Sequence, residues 1–546
     1  MIFKKFDENS IVRLAPLNNN SVDIANKALK NEIFLLSGLQ SINFDKGIDW
    51  DYKHEINLDT YSLYLHTLDS VGYLSSAYEI TKDKKYIEKA NSIMASWIDY
   101  VKNEKINKMV WYDHTTAFRS QNILHFYLIA KDIIFLDSEV YENLIMKHIN
   151  YLYDDKNYKS YNHGMMLDKA LLSCASVIEG KSAEMLQSKA LNRLKDNFYN
   201  NFSYKGVHLE NSMFYHSFVK GMYEEIEKFL NTIGLSLGSN ILIKLKKANN
   251  YFNYAVKPNG ELPAIGDNGK MEIGNKDKFY EDFFDYEAGI AYLQYENKEN
   301  PINSTWLSFI CGYSSTIHKH YDDLSFTLYY GGKDIFVDSG HFGYGDTKER
   351  RYLTSQKAHN TFLIENESYA LVEKEDSFKK IKITDFVTNK YYSMVKGKNT
   401  SYNDTKLYRT LILFKPNIIF IYDKGVSKSE KEYTQLYNVA PKNNVSQLDS
   451  RTCIINDNVE IIQINNEFTS KYYSSNKEEP VAVICEKSET LTNTCQITFK
   501  KKSQNINILT LISLDNSKKN IENLKFDEKN EILYLIINEI NYSIAL

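Results

Sequence analysis

The densest concentration of groups that could do chemistry is the segment Ile317-His318-Lys319-His320-Tyr321-Asp322-Asp323-Leu324-Ser325-Phe326, followed by Val337-Asp338-Ser339-Gly340 and Ala358-His359-Asn360-Thr361. Residues i and i+2 of an extended chain share a face, so His318 and His320 point the same way on a strand. Imidazole plus carboxylate is the donor set preferred by a borderline cation such as zinc, and His320, Asp338 and His359 supply it. Spacing leaves a second reading open, in which these are separate hydrogen-bonded histidines. A simple hairpin register about Gly331-Gly332 sets Ser325, not His320, opposite Asp338. The chain before Leu324 must therefore fold back to complete a ligand set.

Other candidate groups lie earlier. Trp111-Tyr112-Asp113-His114 leads to Arg119, Tyr161-Asn162-His163-Gly164 precedes a helix, and Glu210-Asn211-Ser212-Met213-Phe214-Tyr215-His216 opens another. With 42 tyrosines in the chain, Tyr215 stands out only through its neighbours. Aromatic residues on helices normally belong to the core. Arginine is scarce, yet Arg119, Arg350 and Arg351 fall inside these segments, where a planar guanidinium suits a carboxylate. The alternative for each is a bond to loop carbonyls or a surface ion pair. No histidine follows His359, so the distal part of the chain reads as scaffold.

The elements that must carry these groups change character along the chain. Tyr64, Leu68, Val71, Leu74 and Tyr78 trace one helical stripe, and Tyr86, Ala90, Ile93, Trp97 and Val101 a second, with Thr81 and Asp83 as candidate caps. Helical patterns continue over 115–135, 140–153, 164–179, 182–200, 212–234 and 239–256, with Gly180 and Gly234 as stops. After about residue 300 the period becomes two: Leu324, Phe326, Leu328 and Tyr330 alternate with polar neighbours before Gly331-Gly332 turns the chain. Asn417–Tyr422, Val481–Cys485, Cys495–Phe499, Ile506–Ile512 and Glu531–Ile537 extend the strand-rich pattern. Turn residues concentrate in 257–300, where a helical first half meets a β second half.

Length and composition bound the possibilities. The 546 residues suffice for two large domains. A formal net charge of −4 gives no global field to hold a nucleic acid, which is excluded as a partner. Five cysteines without a C-x-x-C pair make no zinc ribbon, although Cys453, Cys485 and Cys495 could pair locally. The first residues, Met1 to Glu8, show no apolar leader. The most apolar stretch, Leu411 to Tyr422, is broken by Lys415-Pro416 and is too short to span a membrane. The N-terminus therefore reads as cytoplasmic, with an envelope or extracellular location as the alternative.

On these motifs the chain resembles the heparinase II/III-like polysaccharide lyases. The resemblance rests on W-Y-D-H-x4-R from Trp111 to Arg119, N-H-G at Asn162, E-N-S-M-F-Y-H ending at His216, and L-P-A-I-G-D from Leu262 to Asp267. It rests further on H-K-H-Y-D-D-L-S-F with V-D-S-G, R-R-Y and A-H-N-T, and on Arg409 through Asp423, so that it runs from about 60 to 425. It implies an N-terminal (α/α) toroid over 1–280 followed by a C-terminal antiparallel β-sandwich over 281–546. It also implies β-elimination at a uronic acid: Asn162, assisted or replaced by His163, neutralises the uronate carboxylate, and Tyr215 and His318 fill the acid and base roles, with either the Tyr doing both or the His sharing the work. Arg119, His216, Arg350 and Arg351 are expected to bind substrate. His320, Asp338 and His359 are expected to hold a structural divalent metal, zinc, that pins the hairpin so that His318 projects into the cleft. The anionic polysaccharide partner is expected to be sparsely sulfated, such as a bacterial capsule or exopolysaccharide, because arginine is few. The competing readings are an inverting glycoside hydrolase using Asp267 and Glu210, and a noncatalytic glycan-binding protein.

Overall fold

The computed structural model describes residues 11–55, 58–372, 374–487 and 489–546. The leader reading at Met1 to Glu8 lies outside them. The helical part runs α1 (Asn19–Leu29), α2 (Leu58–Leu65), α3 (Asp69–Thr81), α4 (Lys84–Tyr100), α5 (Asp113–Ala130), α6 (Ser138–Tyr153), α7 (Asn162–Ser176), α8 (Lys181–Asn201), α9 (Met213–Thr232) and α10 (Ser239–Ala255). A large antiparallel sheet follows, so the order of helix then sheet is as the periodicities imply. Contacts divide the polypeptide into two compact units, one of 1–201 with 221–242, the other of 202–220 with 243–546.

In the first unit, α3 packs on α4 and α5, and α5 on α6 and α7, which is the neighbour pattern of helical hairpins. Tyr86, Ala90, Ile93 and Trp97 are buried along α4, and the Asp83 side chain caps this helix by accepting from Lys85 N. The stripe from Tyr64 to Tyr78 is not one helix. Leu68 takes a left-handed conformation (φ 58°) and splits it into α2 and α3. The carbonyls released by the break are caught from α5: Arg119 Nη1 donates to His66 O at 3.0 Å and Asn122 Nδ2 to Thr67 O at 3.0 Å.

In the second unit, the sheet path places strands 325–330 and 333–336 between the pair 290–295/305–310 on one side and the long strand Ile418–Val439 on the other. Ile418–Val439 and Cys495–Leu514 pair over most of their length, with a register shift between Val426 and Lys431. The separate short strands expected near 417–422, 495–499 and 506–512 are parts of these two. The hairpin at Gly331-Gly332 carries a bulge: Tyr330 pairs with Lys333 and Tyr329 with Asp334, but Leu328 with Phe336. Pairing of these strands ends there, and Asp338 leaves the sheet. A smaller three-stranded sheet follows Ile521. All five cysteines are buried free thiols, so the local pairing considered for Cys453, Cys485 and Cys495 does not occur.

A buried pair fixes the loop that carries His359. Arg409 lies across from Asp423 on neighbouring strands and grips it with Nε and Nη2 at 2.7 and 2.8 Å. Its Nη1 donates to Leu324 O and Asn360 O at 2.8 and 3.0 Å. Asn360 in turn donates to Phe326 O and Val337 O at 2.7 and 2.8 Å, tying the loop to both hairpin strands.

Candidate active site

Three loops meet at Gly266 in the second unit: the one opening α9, the one ending in Asp267, and the one carrying His318. Gly266 has φ +63°, and a Cβ there would lie 2.1 Å from Asn211 O and 3.3 Å from His318 O, so only glycine permits this approach. Asn211 donates from Nδ2 to Ser315 O and Ile317 O at 2.7 and 2.9 Å. Ser212 Oγ donates to Asp267 O at 2.9 Å. Polar side chains of one loop thus satisfy the backbone of the other two.

The Asp267 carboxylate gathers the histidines. Its Oδ2 meets His318 Nδ1 and Arg350 Nη2, each at 2.9 Å. Its Oδ1 meets His320 Nε2 at 3.0 Å, His341 Nδ1 at 3.0 Å and Arg350 Nη1 at 2.7 Å. Burial alone would raise its pKa, but these bonds outweigh burial and hold it far below the usual carboxylate range. His318 and His320 share a face as expected, although His318 adopts φ 57° rather than an extended conformation. Lys319 turns the other way, to Asp322 and Asp323.

Above this hub the imidazole of His318 stacks on the phenol of Tyr215, with centroids 3.8 Å apart and planes at 14°. Nδ1 is committed to Asp267, and Nε2, on the other side of the ring, faces Glu210 Oε2 at 3.7 Å. The Tyr215 hydroxyl pairs with that of Tyr344 at 2.8 Å. Burial raises the Tyr215 pKa; the bond to Tyr344 and the Arg350 charge lower it, Glu210 and Asp267 raise it, and the net direction is up. The resting phenol is therefore protonated.

Asn162 begins α7 in the first unit, and its Oδ1 accepts from His163 N at 3.0 Å. His163 Nδ1 and Lys159 Nζ bind the two oxygens of Asp113, each at 3.0 Å. Asp113 is held down at about 2: burial opposes this, but the bonds from His163 and Lys159 prevail. Burial and the neighbouring His163 charge depress His114 to about 4.

Four residues expected to bind substrate are already engaged. Arg119 is fully buried, with Nε on His148 Nε2 at 3.0 Å and its guanidinium between Trp97 and Trp111. His216 is buried, accepting from His208 N at 3.1 Å and reaching Ala248 O at 2.9 Å. Both side chains are held by interior packing. Arg350 is spent on Asp267, and Arg351 forms a surface ion pair with Asp346 at 2.6 Å. As a site residue Asp267 enters the sequence reading only with Glu210 in the hydrolase alternative, and His341 and Tyr344 are absent from it. The G-D pair in L-P-A-I-G-D was the available signal for Asp267; nothing local marks the other two.

The expected metal ligands lie beside the hub. Among the described residues no group of three or more His, Cys, Asp or Glu side chains is arranged to hold a metal ion. His320 is bonded to Asp267, and His359 Nδ1 is in close contact with Asp338 Oδ1. The donor chemistry nevertheless suits zinc. The His320 and His359 rings are 5.5 Å apart, and His359 Nε2 and Asp338 Oδ2 are buried without a hydrogen-bond partner.

Comparison with known proteins fits this arrangement of helices and sheet. The family model described as heparinase II/III N-terminus matches residues 3–292, and that described as heparinase II/III-like, C-terminal, matches 286–523; the chain belongs to this family. It is 22% identical over 460 residues to a heparin-sulfate lyase of Bacteroides thetaiotaomicron, a match that covers 73% of this chain and 64% of that protein, just under two thirds of its length. Solved structures with the same fold include a mutant of a heparan sulfate lyase from Pedobacter heparinus, with a TM-score of 0.74, 14% identity and coverage of 100% of this chain and 92% of that one. They also include heparinase III, with a TM-score of 0.75, 17% identity and coverage of 98% and 93%. At these identities the likeness is one of fold.

Proposed function

We propose that this protein is a polysaccharide lyase that cuts a uronic-acid-containing glycan by β-elimination. The observation that carries the reading is the stack of Tyr215 on His318, with Nδ1 of the imidazole locked by Asp267. Removing the weakly acidic C5 proton of a uronate needs a base, and expelling O4 needs an acid. His318 Nε2 is assigned as the base and the protonated Tyr215 hydroxyl as the acid. Asn162, with His163 beside it, is assigned the uronate carboxylate, whose neutralisation stabilises the charge arriving from C5. The division into a helical domain, 1–280, and a sheet domain, 281–546, goes with this reading. A glycosaminoglycan is the substrate class suggested by the relatives' names. An inverting hydrolase needs a carboxyl group able to hold a proton. Asp267, saturated by three imidazoles and an arginine, is poorly placed for that.

A structural zinc on His320, Asp338 and His359 is part of the proposal; bound there, it would supply a cross-link between the histidine loops. The His359 and Asp338 atoms without partners support it.

The preferred glycan is proposed to be sparsely sulfated. All seven arginines are already committed. Arg119 and Arg409 are buried on interior acceptors, and Arg13, Arg193, Arg350, Arg351 and Arg451 are ion-paired. Sulfate clamps would draw on this residue type. The test is initial rates on heparan sulfate, alginate and bacterial capsule, with mass spectrometry of the products. Elimination conserves the summed mass, whereas hydrolysis adds a water for each cut. Faster cleavage of the least sulfated uronate chain is expected; a clear preference for the heavily sulfated one overturns the substrate assignment.

A further inference from the structure

The second unit holds a cleft of about 800 Å³ that shares no residue with the Asp267 hub. Its walls include Tyr204, Lys205, Lys247, Tyr254, Phe284 and Phe386. A pocket of this size, lined by aromatic rings with a few placed polar groups, has the form of a small-ligand site. We propose that it is a second glycan-binding site, which takes a short anionic oligosaccharide segment outside the catalytic cluster.

The cleft is built rather than incidental. Gly206 has φ +88°, and a Cβ there would stand 2.7 Å from Ala248 N, so the loop after α8 lies directly on α10. Ser203 Oγ is tied to Asp285 Oδ2 at 2.6 Å, and Tyr204 N donates to Glu287 Oε2 at 2.7 Å. Tyr204 is therefore held by its backbone while 71% of the residue stays exposed. Phe284 and Phe386 stack at 4.3 Å to form the opposite wall.

Charge selects the ligand. Lys205 Nζ sits 3.7 Å from the Phe284 ring centre and donates to Phe284 O at 2.6 Å. Lys247 Nζ sits 4.2 Å from the Tyr204 ring centre and lies 3.4 Å from Tyr204 O. Among the described residues neither ammonium forms an ion pair. The acid in the lining, Asp282, is already taken by Thr388, Ser393 and Lys415. Two ammonium groups with no carboxylate at ion-pair distance, each set against an aromatic ring and with Asp285 acting on Lys205 only from farther off, match a sugar that offers an apolar face and a carboxylate. A polynucleotide would require a longer run of cations.

The inference rests on the lyase reading only for the choice of glycan. The probe is a low-sulfate heparan sulfate hexasaccharide, titrated calorimetrically into the full chain carrying Tyr215→Phe so that it is not cut. Two binding events are expected, falling to one when Tyr204→Ala and Lys247→Ala are added; Lys247→Gln alone, a change at a half-buried side chain, should weaken the second event roughly tenfold. In the otherwise native chain the same pair should raise KM for the polymer while leaving turnover of a tetrasaccharide unchanged. If the hexasaccharide still binds through the cleft while no unsaturated product ever forms, the site stands and the lyase reading falls. Unchanged binding in both variants, or equal binding of a carboxyl-reduced hexasaccharide, overturns the proposal.

Discussion

The imidazole of His318 lies flat on the phenol of Tyr215 at 3.8 Å, and the same phenol reaches the hydroxyl of Tyr344 at 2.8 Å. Tyr344 is thus a positioning residue for the proposed acid. Tyr215→Phe should lower kcat by about 10²–10⁴ with little change in glycan binding. Tyr344→Phe should have a smaller effect, confined to kcat and its pH profile. Steady-state kinetics on both variants check this, and equal losses in KM and kcat would contradict it.

Asp267 is the electrostatic keystone. Replacing its carboxylate by an amide removes the partner of three imidazoles and of Arg350 at a side chain only 1% exposed. Breaking a buried ionic network from one side typically costs about 3–5 kcal/mol. Urea unfolding of Asp267→Asn should show a loss of that order together with loss of turnover. A variant of native stability and activity would show that the hub is dispensable.

Much of this arrangement was legible in the sequence. The α4 stripe and its Asp83 cap came through because period and cap chemistry are local. The split at Leu68 did not, since it depends on Arg119 and Asn122 reaching over from α5. Tyr215 and His318 could be picked out by their motif neighbours, yet their stacking depends on Gly266 letting three loops touch. For Arg119 the sequence left two readings open, and its burial between two tryptophans with Nη1 on His66 O depends on tertiary packing that local spacing does not carry. Tyr344 and His341 sit in an unremarkable loop, and only tertiary contact reveals them.

Acid should destabilise the fold through buried histidines. Burial, as the leading cause, lowers His66, His114 and His216 to about 4. An unfolded histidine titrates near 6.5, so the unfolded chain gains protons first as pH falls. Their contribution is fully present above about 6.5 and is lost progressively down to about 4, on the order of 3 kcal/mol for each. Asp69, raised by burial to about 6, works in the opposite sense and offsets part of this. Thermal melts should show Tm dropping steeply between pH 6.5 and 4; a flat profile would contradict the assignment.

Zinc on His320, Asp338 and His359 should be retained through purification at about one ion per chain, and its removal by a chelator should lower Tm. His359→Ala should abolish the chelator effect. Elemental analysis that finds no metal, together with an indifferent Tm, would remove the cofactor from the account.

The most direct test of the central claim is ultraviolet absorbance during digestion of a uronate polymer. Elimination leaves a C4–C5 double bond conjugated to the carboxylate, so absorbance should climb with the native chain and stay level with Tyr215→Phe. Shortening of the polymer without any rise in absorbance would contradict the account.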